Sequence, residues 1–406
     1  MSKKSGSKRT KVESQDAEVD PRRLVGISAE RVTNISSTDF PGHYPDEDNS
    51  WSHKKFKKNL KVEVKRLSQR SIEFDLVGVD ASIANAFRRI MIAEVPTVCI
   101  EEVYVFDNTG VIVDEVLSHR IGLVPLNVDP SIMSMKESGE AQATDQNTIV
   151  FKLELECSWH PSMQQPSKDK GKAPAHAASQ SSATPSTQNI PDNMRYVNYE
   201  LLSGHLVWKP VGEQETVFGP NEASNPQKPG PINPNIVLAK LRPGQGVKME
   251  LYAVKGVGKD HAKFSPVATA TYRLLPHIKI KKPIPRESVE KFKTCFAPGV
   301  IKVDSRTNEV SVDKVAVRKD WVSREVLRHP EFEGVVELGR VRDHFLFNVE
   351  SESAYAPERL LPEAIKVMRE KLASIKRAAE MLAVPSASEL IEVEKPQGAD
   401  VSMQDA

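Results

Sequence analysis

Cysteine is scarce in this chain. Its three, Cys99, Cys157 and Cys295, lie far apart, and no CxxC-type pair occurs among the 406 residues. A structural zinc site uses about four thiolate or imidazole ligands in close clusters, which these three do not supply. Nor do they make a disulfide framework. Buried structural thiols in a reducing compartment are the plain reading. Long apolar runs are also missing: none approaches the roughly 20 residues that span a bilayer. The opening MSKKSGSKRTK has no apolar stretch behind its charges, so it does not read as a secretory signal. Lys3, Lys4, Lys8, Arg9 and Lys11 read either as a solvated tail or as a nuclear-import patch.

Excess charge of either sign is missing too. The chain has 56 basic and 55 acidic residues, a net charge of +1. Proteins that live mainly by gripping nucleic acid carry a basic excess or a basic face. The balance argues against that as the main task, and leaves room only for a local patch.

Enzyme constellations are not found. There is no GxSxG, no HExxH and no paired-aspartate motif of the kind that holds two magnesium ions. Gly256-Val257-Gly258-Lys259 lacks the first glycine of a phosphate-binding loop. Asp260 stands where a magnesium-binding hydroxyl belongs, so a strand-connecting turn is the better reading. Glu115 and His119 have metal-ligand spacing on a helix, but no second cluster lies near, and surface polar residues fit better. His261 and Ser265 lack an orienting acid. Catalytic groups assemble from distant positions, so these absences only tilt the reading toward an interaction protein.

What is present is an ordinary globular composition, 39% hydrophobic and 27% charged, with length for two or three domains. Residues 1–20, 162–193 and 385–406 are poor in large apolar side chains and are expected to be disordered. Lys61 to Leu67 and the following Phe74 and Leu76 predict a hairpin. Asp80 sits as the N-cap of a helix carrying Ile83, Phe87, Ile90 and Met91, which Pro96 limits. A strand is expected over Val98 to Phe106. A short helix is expected over DEVLSHRIG, capped by Asp114 and ended by Gly122. Ile149, Phe151, Leu153, Leu155 and Cys157 alternate as one face of a half-buried strand. Similar signals recur at Met249, Leu251 and Ala253, and along Ala268 to Leu275. After a weaker stretch, 283–339, comes a strand, HFLFNVE. Then Leu361, Ile365, Met368, Leu372, Ile375, Ala379 and Leu382 step by 4, 3, 4, 3, 4 and 3. Such a narrow stripe packs along another helix, in this chain or in a partner. Pro357 suits a first helical turn, and Pro362 marks a late start or a kink.

The run Asp80 to Asp129 holds Asn85-Ala86-Phe87-Arg88-Arg89, then Glu94-Val95-Pro96, then Asp114 through Leu126. In this order it resembles the signature of the alpha family of DNA-directed RNA polymerase subunits. Lys240–Gln245, Gly258–Pro266 and Phe345–Ser351 extend the likeness to roughly residues 24–383 without the 162–193 insertion. Arg31-Val32-Thr33-Asn34 and Ser37–Gly42 resemble the branch shared by polymerases I and III. The cysteine-free stretch 127–156 departs from the zinc-binding polymerase II branch.

The resemblance implies an α+β fold with a split alpha-type dimerisation domain, an inserted β-rich domain and a ferredoxin-like remnant lacking a cluster. The expected domains are a basic tail (1–20), an extension (21–57) and the first dimerisation part (58–128). The inserted domain (129–280), the remnant (281–339), the second dimerisation part (340–384) and an acidic tail (385–406) follow. The resemblance implies a heterodimer with the smaller alpha-like polymerase subunit. The second-largest subunits of polymerases I and III and two small zinc-binding subunits then dock on it. DNA is met only indirectly, no membrane is involved, no cofactor is expected, and the location is the nucleus, including the nucleolus. The expected interface residues are Ala84, Phe87, Arg88, Arg89, Ile90, His119, Arg120, Leu361, Ile365, Met368, Leu372 and Ile375.

Overall fold

The computed structural model describes residues 19–20, 23–34, 50–136, 142–161, 191–220, 228–304 and 306–383. The import patch, residues 35–42 and nearly all of the three segments expected to be disordered lie outside these residues. The fold is α+β. It divides into two compact units, residues 1–88 with 269–350 and residues 89–268 with 351–406.

The first unit is built on a six-stranded sheet. Its order runs Val32–Thr33, Leu24–Ile27, Val336–Ser351, Ser71–Val77, Lys61–Leu67, and Val267–Ile280 also pairs with Val336–Ser351. The expected hairpin is present, with Val62 opposite Leu76 and Val64 opposite Phe74. The strand expected at HFLFNVE is more than twice that length. Its second half pairs with Ser71–Val77, His344 opposite Val77 and Glu350 opposite Ser71. Its first half pairs with Leu24–Ile27, Leu24 opposite Val341. Phe74 stacks on Phe347 with ring centroids 4.9 Å apart, so the strand centres share one apolar layer. The stretch 283–339 holds a short helix, Val289–Thr294, and a ribbon of Ile301–Val303 with Val310–Val312. Phe292, Phe296, Val300, Val326 and Phe332 form its core, beside the buried thiol of Cys295.

Asp75 lies buried in this unit with its carboxylate ringed by basic side chains. Arg318 Nη2 lies 2.8 Å from Oδ1, and His344 Nε2 and Lys65 Nζ lie 3.1 and 3.7 Å from Oδ2. Burying a carboxylate is costly unless it is paired and hydrogen-bonded, and this one has both kinds of support.

The second unit is built on a four-stranded antiparallel sheet. Its order is Val207–Lys209, Thr148–Glu156, Gly246–Gly256, Thr97–Asn108. The alternation read in the sequence is realised here: Ile149, Phe151, Leu153, Met249, Leu251 and Ala253 are fully buried. The helix Asp114–Gly122 covers this layer with Leu117 and Ile121. Asp114 is not its cap. Val113 holds the cap position, and the Asp114 carboxylate instead accepts from Asn108 Nδ2 at 2.6 Å. The short helix Asp192–Arg195 takes up the last two residues of the segment expected to be a disordered loop. The C-terminal helix runs Pro357–Ala383. It starts at Pro357 and continues through Pro362. Among the described residues, no helix is long and apolar enough to cross a membrane.

Candidate subunit-pairing surface

The N-terminal part of the C-terminal helix is tied down within the second unit by residues of the Asp80–Asp129 signature. Tyr355 Oη donates to the carbonyl of Pro96 at 3.1 Å. Arg359 Nη1 donates to Asp129 Oδ2 at 2.9 Å, and its guanidinium lies 5.1 Å from the Tyr355 ring. Leu360 and Ala364 are buried beside these anchors. One turn beyond Met368, Lys371 Nζ reaches Glu94, 2.9 Å from Oε1 and 2.8 Å from Oε2.

Glu94 is itself held in place. Its N–H donates to the Ile90 carbonyl at the end of the helix Ala81–Ala93. The Gly258 turn packs on that helix end, with Lys259 N–H donating to the Ala93 carbonyl at 2.7 Å. A Cβ on Gly258 would lie 2.4 Å from the Ile92 carbonyl oxygen, so only glycine lets the backbones come this close. The turn reading of this glycine pair therefore acquires a purpose.

Past Glu94 the helix has no cover from the described residues of its own chain. Every residue from Arg369 to Leu382 is exposed. Leu372 is 56%, Ile375 65% and Leu382 88% accessible, and Met381 is exposed beside them. The sequence left two uses for the stripe. Its first turns are used in the chain's own packing, and its later turns present apolar side chains to solvent.

The other expected interface residues separate in the same way. Ala84 and Ile90 are buried inside the chain, so they shape the helix Ala81–Ala93 and offer no surface of their own. Phe87 and Arg88 are half-buried, with Arg88 Nε donating to Asn85 Oδ1 at 3.1 Å, and Arg89 is exposed. Leu361 and Met368 are half-buried, and Ile365 is exposed. His119 is exposed. Arg120 is exposed but committed, donating to the Val237 carbonyl at 2.8 Å.

His119 borders an open cleft of about 430 Å³ whose walls include Glu115, Ser118, Leu123, His261 and Lys263. Lys263 spans its floor, donating to the Ile100 carbonyl at 2.8 Å and pairing with Glu101. Val105 and Leu123 are exposed on the walls of the cleft. Among the described residues, no group of three His, Cys, Asp or Glu is placed to hold a metal ion. Burial pushes the Cys99 thiol up to about 11, so at neutral pH it is protonated and a poor nucleophile.

The first unit also leaves an apolar face open. Val62, Val64 and Leu67 lie opposite Leu76, Phe74 and Ile72. Ile72, Phe74 and Leu76 are buried, while all three edge-strand residues are at least half accessible. The apolar layer thus runs out to the sheet edge with no lid among the described residues. The sequence shows the alternation but not which side of the edge strand is covered.

A family model described as the RNA polymerase Rpb3/Rpb11 dimerisation domain matches residues 73–372. The chain belongs to this family, a domain class of dimerisation rather than catalysis. Among its relatives is the DNA-directed RNA polymerases I and III subunit RPAC1 of Saccharomyces cerevisiae. The two are 46% identical over 356 residues, 87% of this chain and 97% of the yeast protein. The human protein of the same name is 42% identical over 344 residues, 84% of this chain and 90% of its own length. The DNA-directed RNA polymerase II subunit rpb3 of Dictyostelium discoideum is 31% identical over 324 residues, 77% of this chain and 93% of its own length.

Proposed function

We propose that this chain is a non-catalytic assembly-platform subunit of DNA-directed RNA polymerases I and III, working in the nucleus, including the nucleolus. Relatives 41–46% identical to it are named as subunits of these two polymerases. In this reading the chain forms a heterodimer with the smaller alpha-like subunit. The pair then receives the second-largest subunits and two small zinc-binding subunits. DNA is met only through the assembled enzyme. The stretch 281–339 is read as a ferredoxin-like remnant that keeps a packed core and has one cysteine where a cluster needs four.

The observation that carries the pairing is the stripe Leu372, Ile375 and Leu382. It is exposed on a helix whose base is fixed by Tyr355, Arg359 and Lys371. Covering each such side chain contributes about 1.5–3 kcal/mol when burial is complete. A helix anchored at one end also loses little freedom on binding, which lowers the cost of association. The uncovered Val62, Val64 and Leu67 supply a second apolar surface of the same character. The cleft beside His119, with its apolar rim and mixed charges, suits a later docking partner whose register is set by polar contacts.

Co-expression with the smaller alpha-like subunit tests the reading. A soluble one-to-one complex that survives size-exclusion chromatography is the expected result. Recovery of the two chains as separate species, each folded, overturns it.

A further inference from the structure

We propose that the lysine-rich helix His53–Asn59 of the first unit is a contact site for single-stranded nucleic acid. This goes beyond the assembly reading and departs from the expectation that nucleic acid is met only through other subunits.

The helix reads HKKFKKN and buries none of its residues. At 100° per residue, Lys54, Lys55, Lys57 and Lys58 fall within an arc of about 160°, with Phe56 opposite its centre. The four lysines are exposed and Phe56 is half-buried, so the ammonium groups make one solvent-facing surface. None of the four side chains has an acidic partner among the described residues.

Such a helix is poorly supported by its own chain. Seven residues are too few for independent helical stability. Lys54 with Lys57 and Lys58, and Lys55 with Lys58, are like-charge pairs at repelling spacings. Lys54 and Lys55 stand in the first turn, where the helix dipole disfavours cations, and no acid is there to offset them. The whole chain carries only +1, so this concentration is local and not a by-product of basic composition.

The surface is nevertheless held at a fixed position. Ser52 caps the helix by accepting from Lys55 N–H, and Leu60 N–H donates to the Phe56 carbonyl at 2.8 Å. A Cβ on Gly78, whose φ is +81°, would come within 2.3 Å of the Asn59 carbonyl oxygen, so the helix end seats on bare backbone there. A fixed row of cations with no acidic partner among the described residues fits a row of phosphates.

Trp51 chooses between polyanions. It lies at the start of the helix, 71% accessible, with its ring 5.1 Å from that of Phe56. An aromatic ring exposed beside a cationic groove is the pairing by which unpaired bases are held: stacking on the ring, phosphates on the lysines. An acidic peptide would use the lysines and leave Trp51 idle.

The test is fluorescence anisotropy with a labelled mixed-sequence single strand of about 20 nucleotides, titrated with the full-length chain. The salt range is about 50 to 200 mM. The variant Lys54→Gln/Lys55→Gln/Lys57→Gln/Lys58→Gln removes only exposed side chains, and circular dichroism confirms that it folds. At about 0.7 per phosphate for single strands, its log–log salt slope should fall by about 3. Trp51→Ala should weaken binding about tenfold at every salt concentration and leave the slope unchanged. Equal slopes for the parent and the quadruple variant overturn the proposal. So does tighter binding of a poly-glutamate peptide than of the oligonucleotide, abolished by the same four substitutions, which would give the helix to an acidic protein segment.

Discussion

Glu94 and Lys371, 277 positions apart in sequence, meet in a two-oxygen ion pair that fastens the middle of the C-terminal helix. Glu94 belongs to the run that resembles the family signature and is not among the expected interface residues. Its direct contact is inside the chain. The pair is partly exposed, with Lys371 55% accessible, so its strength is screened. Glu94→Lys and Lys371→Glu should each lower stability by about 0.5 kcal/mol, and the double exchange should restore most of it. A double-mutant cycle by thermal unfolding measures the coupling. A value of zero would mean that the helix is held by its other anchors alone.

Leu372→Asp places a charge where the stripe leaves the chain. Leu372 is mostly exposed, so the isolated chain should melt within about 2 °C of the parent. In the heterodimer the same carboxylate would be buried without a partner. Pairing with the smaller alpha-like subunit should weaken about 100-fold or more. Melting and titration calorimetry of the parent and the variant read the split between folding and pairing, and a large loss in both would move Leu372 into the chain's own core.

Asp75 makes the opposite prediction. Its carboxylate is buried against Arg318, His344 and Lys65, all in the first unit. Asp75→Ala leaves Arg318 and Lys65 without this carboxylate and should cost about 3–5 kcal/mol. Asp75→Asn keeps an acceptor and the shape, and should cost less. Urea unfolding followed by the near-ultraviolet signal of the first unit tests the order of the two variants.

Acid should loosen the base of the C-terminal helix. Burial alone would push the Asp129 carboxyl up, but the hydrogen bonds from Arg359 and Ser131 outweigh it and hold the group below its ordinary 3.8. A carboxyl lower in the folded than in the unfolded state stabilises above the unfolded value and loses that effect as pH falls through the folded one. The gap in melting temperature between the parent and Asp129→Asn should be full near pH 6 and close as pH drops below about 4. A gap independent of pH would exclude the charge as its source.

The insertion should be removable. Its stem closes by pairing Ser158 with Val197 and Trp159 with Tyr196, whose rings lie 5.1 Å apart. The guanidinium groups of Arg195 and Arg242 lie 5.8 and 5.3 Å from the Tyr196 ring. Replacing residues 162–190 by about six Gly and Ser residues should leave the fold intact and raise stability by about 1 kcal/mol through the shorter loop. A drop in melting temperature would show that the excised residues hold contacts.

Local patterns were legible where one periodicity ruled a whole element. The hairpin before Val77, the helix after Asp80 and the strand through Phe151 all follow from apolar spacing. The strand Val336–Ser351 was read only in its second half. Its first half carries Gly339, Arg340, Arg342 and Asp343, which blur the alternation. It is a strand because Leu24–Ile27 pairs with it and Arg23 reaches Asp343 at 2.7 Å. The cap assigned to Asp114 failed because Asn108 competes for its carboxylate. In the candidate site, the stripe was visible and its division was not. Glu94 and Asp129 decide where the helix leaves the chain, and their partners come too far along the sequence for any local pattern to show.

The strand Val336–Ser351 also sets the order in which the molecule is made. Leu24–Ile27 and Ser71–Val77 leave the ribosome early, and the strand that lies beside both arrives roughly 270 residues after Val77. At translation rates of about 5–20 residues per second, that is a wait of roughly 15–55 s. The sheet of the second unit, from Thr97 to Gly256, is complete within that interval. The newborn chain therefore carries one completed sheet and one hairpin with an open side. It is in this interval that a chaperone has most to protect.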